Sequence, residues 1–192
     1  MVTLREAKLM GGIGSILILL PLVPYVGLTL TIVGLVLIAI AVNHISKAVN
    51  NPSIFRDFLI GFILSVIGIF VAFAAGLATF AIAFIRHTSV PGPMMGNVAS
   101  ILAGVIVFLV VLWVLMVLSA VFIRRSYSEI AKALKVGMFS TVGLLYLIGA
   151  ATLIIVVGII VLLIAFILQI VAFFEIPDEL PKQQPIQPQS LV

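Results

Sequence analysis

The chain has 192 residues, 64% of them hydrophobic and only 8% charged, with a mean hydropathy of +1.46. Water-soluble domains carry roughly 25% charged residues, so an ordinary soluble fold is excluded and an all-α integral membrane protein is expected. Cysteine is absent, which removes disulfide frameworks, thiolate metal sites, haem attachment and cysteine nucleophiles together.

The first uncharged apolar stretch, residues 9–42, is 34 residues long and as one helix would rise about 51 Å, against the 30 Å or so of a bilayer core. It carries Pro21, Pro24 and Gly27 at its centre, where the prolines remove backbone donors and clash with the preceding turn, so a hairpin should turn there. The mildly basic start has no small-residue cleavage site after it and reads as an uncleaved first span. The run Gly11-Gly12-Ile13-Gly14-Ser15 lacks the Lys-Ser/Thr pair and preceding strand of a phosphate loop. It admits an intramolecular seam, a homo-oligomer interface or a pore or ligand lining.

Residues 58–85 make one span. Along it Gly61, Ser65, Gly68, Ala72, Gly76, Thr79 and Ala83 follow at intervals of three and four, which gives one helical face without a large side chain. Because lipid tails are as apolar as leucine, membrane helices associate through close van der Waals contact, and small residues permit it. That face suits an intramolecular seam, a homo-oligomer interface or a pore lining. The outer loop 86–97 contains Pro91-Gly92-Pro93 and reads as a tight turn. Residues 98–123 make the next span, with Trp113 near its middle and not at an interface, which suggests packing inside the bundle.

Residues 124–135 place Ile130, Ala131 and Leu134 on one face and Lys132 and Lys135 largely on another, the pattern of a helix lying on the membrane surface. Arg124, Arg125, Lys132 and Lys135 are candidate contacts for anionic lipid, although topology signalling alone explains four basic residues there. Residues 136–174 are again too long for one crossing, at 39 residues and about 58 Å. The break offered is Gly149-Ala150-Ala151-Thr152, weaker than a proline pair because small residues permit a turn without demanding one. Gln169 is the single side-chain amide within a span, and one interhelical hydrogen bond would account for it. Residues 178–192 are rich in proline and glutamine, and disorder is expected there; Pro185-x-x-Pro188 is a polyproline pattern that such tails contain by chance.

Charge decides the number of crossings. With six spans, at about 4–22, 25–43, 58–85, 98–123, 136–149 and 152–174, the cytoplasmic segments hold Arg5, Lys8, Lys47, Arg56, Arg124, Arg125, Lys132, Lys135 and Lys182, and Arg86 alone lies outside. Four spans would reverse the bias, leaving Arg5, Lys8, Arg86 and Lys182 inside. The reading is a cell-membrane protein with a polytopic domain over residues 1–177 and both termini cytoplasmic. Sliding the chain along itself by 124 residues places Ala7-Lys8 on Ala131-Lys132, Gly34 on Gly158 and Ile40-Ala41 on Ile164-Ala165, which predicts a duplicated helical hairpin in parallel arrangement. Thr3-x-x-Glu6 and Ser126-x-x-Glu129 both have the form of a capping box.

His44 and His87 fall on opposite faces of this topology, and neither a Ser-His-Asp set nor a His-Glu-x-x-His run can be assembled. Catalytic residues, cofactors, metal ligands and a nucleic-acid partner are therefore not expected. Taken together, Ala7-Lys8-Leu9-Met10-Gly11-Gly12-Ile13-Gly14-Ser15-Ile16-Leu17, residues 32–39, Ser53-Ile54-Phe55, residues 145–151 and Ile170-Val171-Ala172-Phe173-Phe174-Glu175-Ile176-Pro177 resemble domain of unknown function 996, a family of small, mostly archaeal, multi-pass membrane proteins. The resemblance runs over residues 4–177. It implies membrane location and an archaeal source with ether lipids, and supplies no activity or site residues. Two functions follow as expectations: a non-catalytic protein that organises membrane or binds a membrane-protein partner or its own copies through small-residue helix faces, or a carrier or channel for a small uncharged or lipidic solute.

Overall fold

The computed structural model describes residues 4–20, 27–89, 95–155 and 157–180. The helices in chain order are α1 (Leu4–Ile18), α2 (Gly27–Ala48), α3 (Pro52–Ser89), α4 (Met95–Leu134), α5 (Gly137–Ala151) and α6 (Val157–Phe174), with one 3-10 turn, Leu153–Ile155, between the last two. No strand occurs among the described residues. Thr29–Ala48, Pro52–Thr79, Gly104–Leu134 and Val157–Phe174 are each long and apolar enough to cross a membrane. With 38 and 40 residues, α3 and α4 rise about 57 and 60 Å, whereas the 15 residues of α1 or α5 rise only about 22 Å.

Local chemistry explains the turns. Asn50 takes a left-handed φ of 51° at the end of α2; Asn51 Oδ1 then accepts the Ser53 N–H at 3.2 Å, and Pro52 fills the first helical position, where no amide donor is needed. Lys135, with φ of 57°, reverses the chain between α4 and α5. The α5 helix stops at Ala151, where Thr152 Oγ1 turns back to donate to the Ile148 carbonyl at 2.7 Å. The proline turn of the first hairpin (residues 21–26), the centre of the outer loop (90–94), Thr3 of the first capping box and most of the tail (181–192) lie outside the described residues.

Each helix packs on the next and α6 packs back on α1, so the six form a closed ring. Their packing is concentrated at one end. There a single apolar cluster gathers Leu4 of α1, Ile45 of α2, Ile54 and Phe58 of α3, Tyr127 and Leu134 of α4, Phe139 of α5 and Phe173 of α6. Aromatic rings carry it across the bundle: Phe58 stacks on Tyr127, Tyr127 meets Phe139 edge-on at 5.6 Å, and Phe139 meets Phe173 edge-on at 5.2 Å.

Three expectations need correction. Residues 124–134 are not a separate surface helix but the last turns of α4, and Tyr127, Ile130, Ala131 and Leu134 are buried in this cluster. An amphipathic face looks the same in sequence whether it meets lipid or a protein core. Ser126 is not a helix cap: it lies inside α4, fully buried, and its hydroxyl donates to the Ile54 carbonyl of α3 at 2.8 Å. Finally, the 124-residue register matches only half of the hairpin, since it lays α2 over residues 151–172, most of α6, and a duplicated hairpin is not shown. The same register places α1 on residues 128–142, which contain the end of α4, the Lys135 turn and the start of α5.

Candidate functional site

The side chains flagged in the sequence fall into three structural groups. The first is the glycine run of α1, which serves two neighbours. A Cβ at Gly11 would coincide with the ring of Phe173, and one at Gly12 would lie 2.6 Å from Phe174 Cζ, so only glycine lets α6 approach here. On the other side, a Cβ at Gly14 would lie 2.7 Å from the Gly34 carbonyl oxygen of α2. Both stretches are among those that carry the family resemblance, Gly-Gly-Ile-Gly and Ala-Phe-Phe, and they are packed against each other.

The same interface holds a buried polar chain. Tyr146 Oη of α5 donates to Gln169 Oε1 of α6 at 2.5 Å, Gln169 Nε2 donates to Ser15 Oγ of α1 at 2.9 Å, and Ser15 Oγ donates to the Gly11 carbonyl at 2.7 Å. Gln169 and Ser15 are buried. Gln169 thus joins three helices where the sequence suggested one bond. Trp113 has an equally definite role: its indole N–H reaches the carbonyls of Ala150 and Ala151 at 3.1 and 3.2 Å. Those carbonyls belong to the last turn of α5, where the helix itself provides no donors, so Trp113 ends α5 from α4.

The small-residue face of α3 divides along its length. Its first half is a seam with α4: Gly61 is buried against Ser119 and Ile123, Ser65 and Ser119 hydroxyls lie 2.7 Å apart, and Ser119 Oγ donates to the Gly61 carbonyl at 2.8 Å. At Gly68 an added Cβ would make ordinary contact with Leu112 at 3.6 Å. Beyond Ala72 the face opens. Nothing lies within 4 Å of a Cβ placed at Gly76, and Thr79 is exposed, its hydroxyl turned to its own Ala75 carbonyl. Ala83 lies within α3, one turn further on.

Between the α3–α4 and α5–α6 pairs is a half-enclosed pocket of about 360 Å³. Gly68 and Ala72 of α3, Met116 and Ala120 of α4, Tyr146 of α5 and Phe166 of α6 are among its walls. No periodic pattern in the sequence marks it, because its walls come from four helices. The four basic candidates lie at the clustered end and are all exposed. Lys132 pairs with Glu129 at 2.8 Å, the Arg125 guanidinium lies 5.5 Å over the Phe122 ring, and Arg124 and Arg125 have no carboxylate partner among the described residues. His44 lies near the end of α2, with Nδ1 4.0 Å from Glu6 Oε2, and His87 lies near the far end of α3. Among the described residues no group of three or more His, Asp or Glu side chains is placed to hold a metal ion.

A family profile described as protein of unknown function (DUF996) matches residues 30–167. The chain belongs to this family. It is also 40% identical over 185 residues to the uncharacterized protein MJ1644 of Methanocaldococcus jannaschii, across 94% of this chain and 97% of that protein. The glycine–phenylalanine contact between α1 and the end of α6 lies outside the profile match. No solved structure matches the chain.

Proposed function

We propose that this is a non-catalytic integral membrane protein that crosses the cell membrane six times and binds a partner within the bilayer through the open half of the α3 face. The observation that carries the reading is the change along that face, closed on α4 as far as Gly68 and empty at Gly76. A face of small residues facing hydrocarbon offers poor contact with lipid chains and close contact with another helix. Support for the orientation comes from the packing end of the ring. It brings together the ends of all six helices and, with them, Arg5, Lys8, Lys47, Arg56, Arg124, Arg125, Lys132 and Lys135, while Arg86 falls near the far end of α3. Basic residues concentrate on the cytoplasmic side, so both termini are assigned there.

The test is Gly76→Leu, alone and with Thr79→Leu, followed by the mass of the assembly extracted gently in native lipid. Loss of a copy or partner with the fold retained is the expected result. Unchanged assembly in both variants would remove the reading. A carrier for a lipidic solute is the second reading; the register that suggested a parallel repeat no longer supports it, and the apolar pocket is the observation in its favour.

A further inference from the structure

We propose that the pocket between α3–α4 and α5–α6 holds one hydrocarbon chain of an anionic lipid whose headgroup is bound by Arg124 and Arg125. The inference rests on the membrane location proposed above and specifies a ligand for this pocket.

The lining selects hydrocarbon. Ser65, Ser119 and Tyr146 are its polar side chains, and each hydroxyl is already engaged: the serines with one another and the Gly61 carbonyl, the tyrosine with Gln169. A sugar or amino acid entering here would lose its water and gain no partner for its polar groups. A methylene chain loses nothing. At about 30 Å³ for each methylene-sized unit, 360 Å³ admits roughly a dozen, which is a single chain segment and not a whole lipid. The headgroup therefore lies outside. Access from the side is available because the pocket is only half enclosed and Ile69 on its α3 wall is 64% exposed.

Charge then chooses the headgroup. On α4, Leu112, Met116 and Ala120 line the pocket at intervals of four, and the next position in that row is Arg124. On α5, Tyr146 and Ala150 line it, and Gly143, one turn earlier, lies against the Arg124 backbone, where a Cβ would be 3.1 Å from Arg124 Cα. Arg124 thus stands one turn beyond the pocket on both helices. Neither it nor Arg125 is neutralised by a carboxylate, in contrast to Lys8, Arg56 and Lys132, which face Asp178, Asp57 and Glu129. Arg124 one turn beyond an apolar slot, with Arg125 next to it on α4 over the Phe122 ring and neither held by a carboxylate among the described residues, fits a phosphate headgroup joined to a chain.

Trp113 is the single tryptophan of the chain and a built-in reporter, since it adjoins Leu112 and bonds the carbonyl of Ala150, both pocket residues. The full chain is reconstituted in phosphatidylcholine vesicles containing either brominated-chain phosphatidylglycerol or brominated-chain phosphatidylcholine, and quenching of Trp113 is titrated. The anionic lipid is expected to quench with an apparent association roughly 30-fold stronger, about fivefold for each arginine near the surface. Arg124→Gln with Arg125→Gln should erase that preference. Gly68→Leu, which has room for its Cβ, should fill the pocket and reduce the quenching by the anionic lipid to the zwitterionic level; Ala72→Leu repeats the test one turn away if the first variant does not fold. Equal quenching by the two lipids in the wild type, or a preference that survives both kinds of variant, overturns the site. A chain that fails to float with the vesicles would instead overturn the membrane location, and this site with it.

Discussion

Replacing Gln169 by leucine tests whether the buried polar chain holds α1, α5 and α6 together. The substitution keeps nearly the same volume but removes the acceptor of Tyr146 Oη and the donor to Ser15 Oγ. The two losses are unequal. Ser15 keeps its bond to the Gly11 carbonyl and gives up only a filled lone pair, whereas the tyrosine hydroxyl is left with no acceptor among apolar neighbours. An unpaired buried hydroxyl costs about 1–3 kcal/mol, and interhelical hydrogen bonds measured in membranes average about 0.6 and reach about 1.7 kcal/mol. Gln169→Leu should therefore destabilise by about 1–3 kcal/mol. Tyr146→Phe should cost about 1 kcal/mol by orphaning Gln169 Oε1, and the double variant should cost less than the sum, with a coupling of about 1 kcal/mol. Reversible unfolding in mixed micelles, followed through Trp113 fluorescence, gives all three values. Additivity within about 0.3 kcal/mol would show that the two side chains do not act as a pair, and the reasoning would fail.

The α5–α6 crossing predicts a severe glycine effect: a Cβ at Gly158 would overlap the Gly149 carbonyl oxygen and lie 2.5 Å from Leu153 N, all backbone, so Gly158→Ala should lose about 1–3 kcal/mol or more in the same assay. Gly76→Ala meets nothing and should be neutral or gain up to about 1 kcal/mol from helix propensity. Trp113→Phe removes the donor to the last carbonyls of α5 and should cost about 1–2 kcal/mol, read by circular dichroism because the fluorophore is gone. The chain has no cysteine, so Thr88→Cys at the far end of α3 should react with an impermeant thiol reagent from outside intact cells; protection there, with outside labelling of Lys47→Cys, would refute six crossings.

What the sequence made legible was the helical class and the residues with unusual roles, and what it withheld was their partners. The three glycines of α1 stand out in any reading of the chain, yet that Gly11 receives Phe173 depends on α6 closing the ring, a contact between residues 162 positions apart. Gln169 is conspicuous as an amide among leucines, but nothing in its neighbourhood names Tyr146 or Ser15. Ser126-x-x-Glu129 has the spacing of a cap because that spacing is local; it occurs inside a helix wherever a hydroxyl finds a carbonyl on a neighbour, here Ile54 of α3. The length of α4 was hidden for a related reason. Its last turns carry charges that mark a membrane boundary, and helix continuity past Arg124 is decided by Tyr127 and Ile130 entering a core that six helices build together.

That core also divides the molecule into a packed end and an open far half. At the packed end, ring contacts and buried side chains from all six helices fix the helix ends relative to one another. Along the middle and far part of α3 and α4 the large apolar side chains turn outward instead: Phe70 is 69% exposed, Phe73 66% and Val107 64%. In water such a surface would drive association, because contiguous exposed apolar patches beyond a few hundred Å² are rare on soluble monomers. In hydrocarbon it costs nothing, and the driving force for contact passes from burial to fit. Fit favours the places where the outward surface is notched and not bulky, which are the face around Gly76 and the pocket beside Ala72. A helix partner suits the first and a lipid chain the second. Both lie on α3 one turn apart, so under the two proposals a chain seated beside Ala72 and a helix seated on Gly76 would be neighbours.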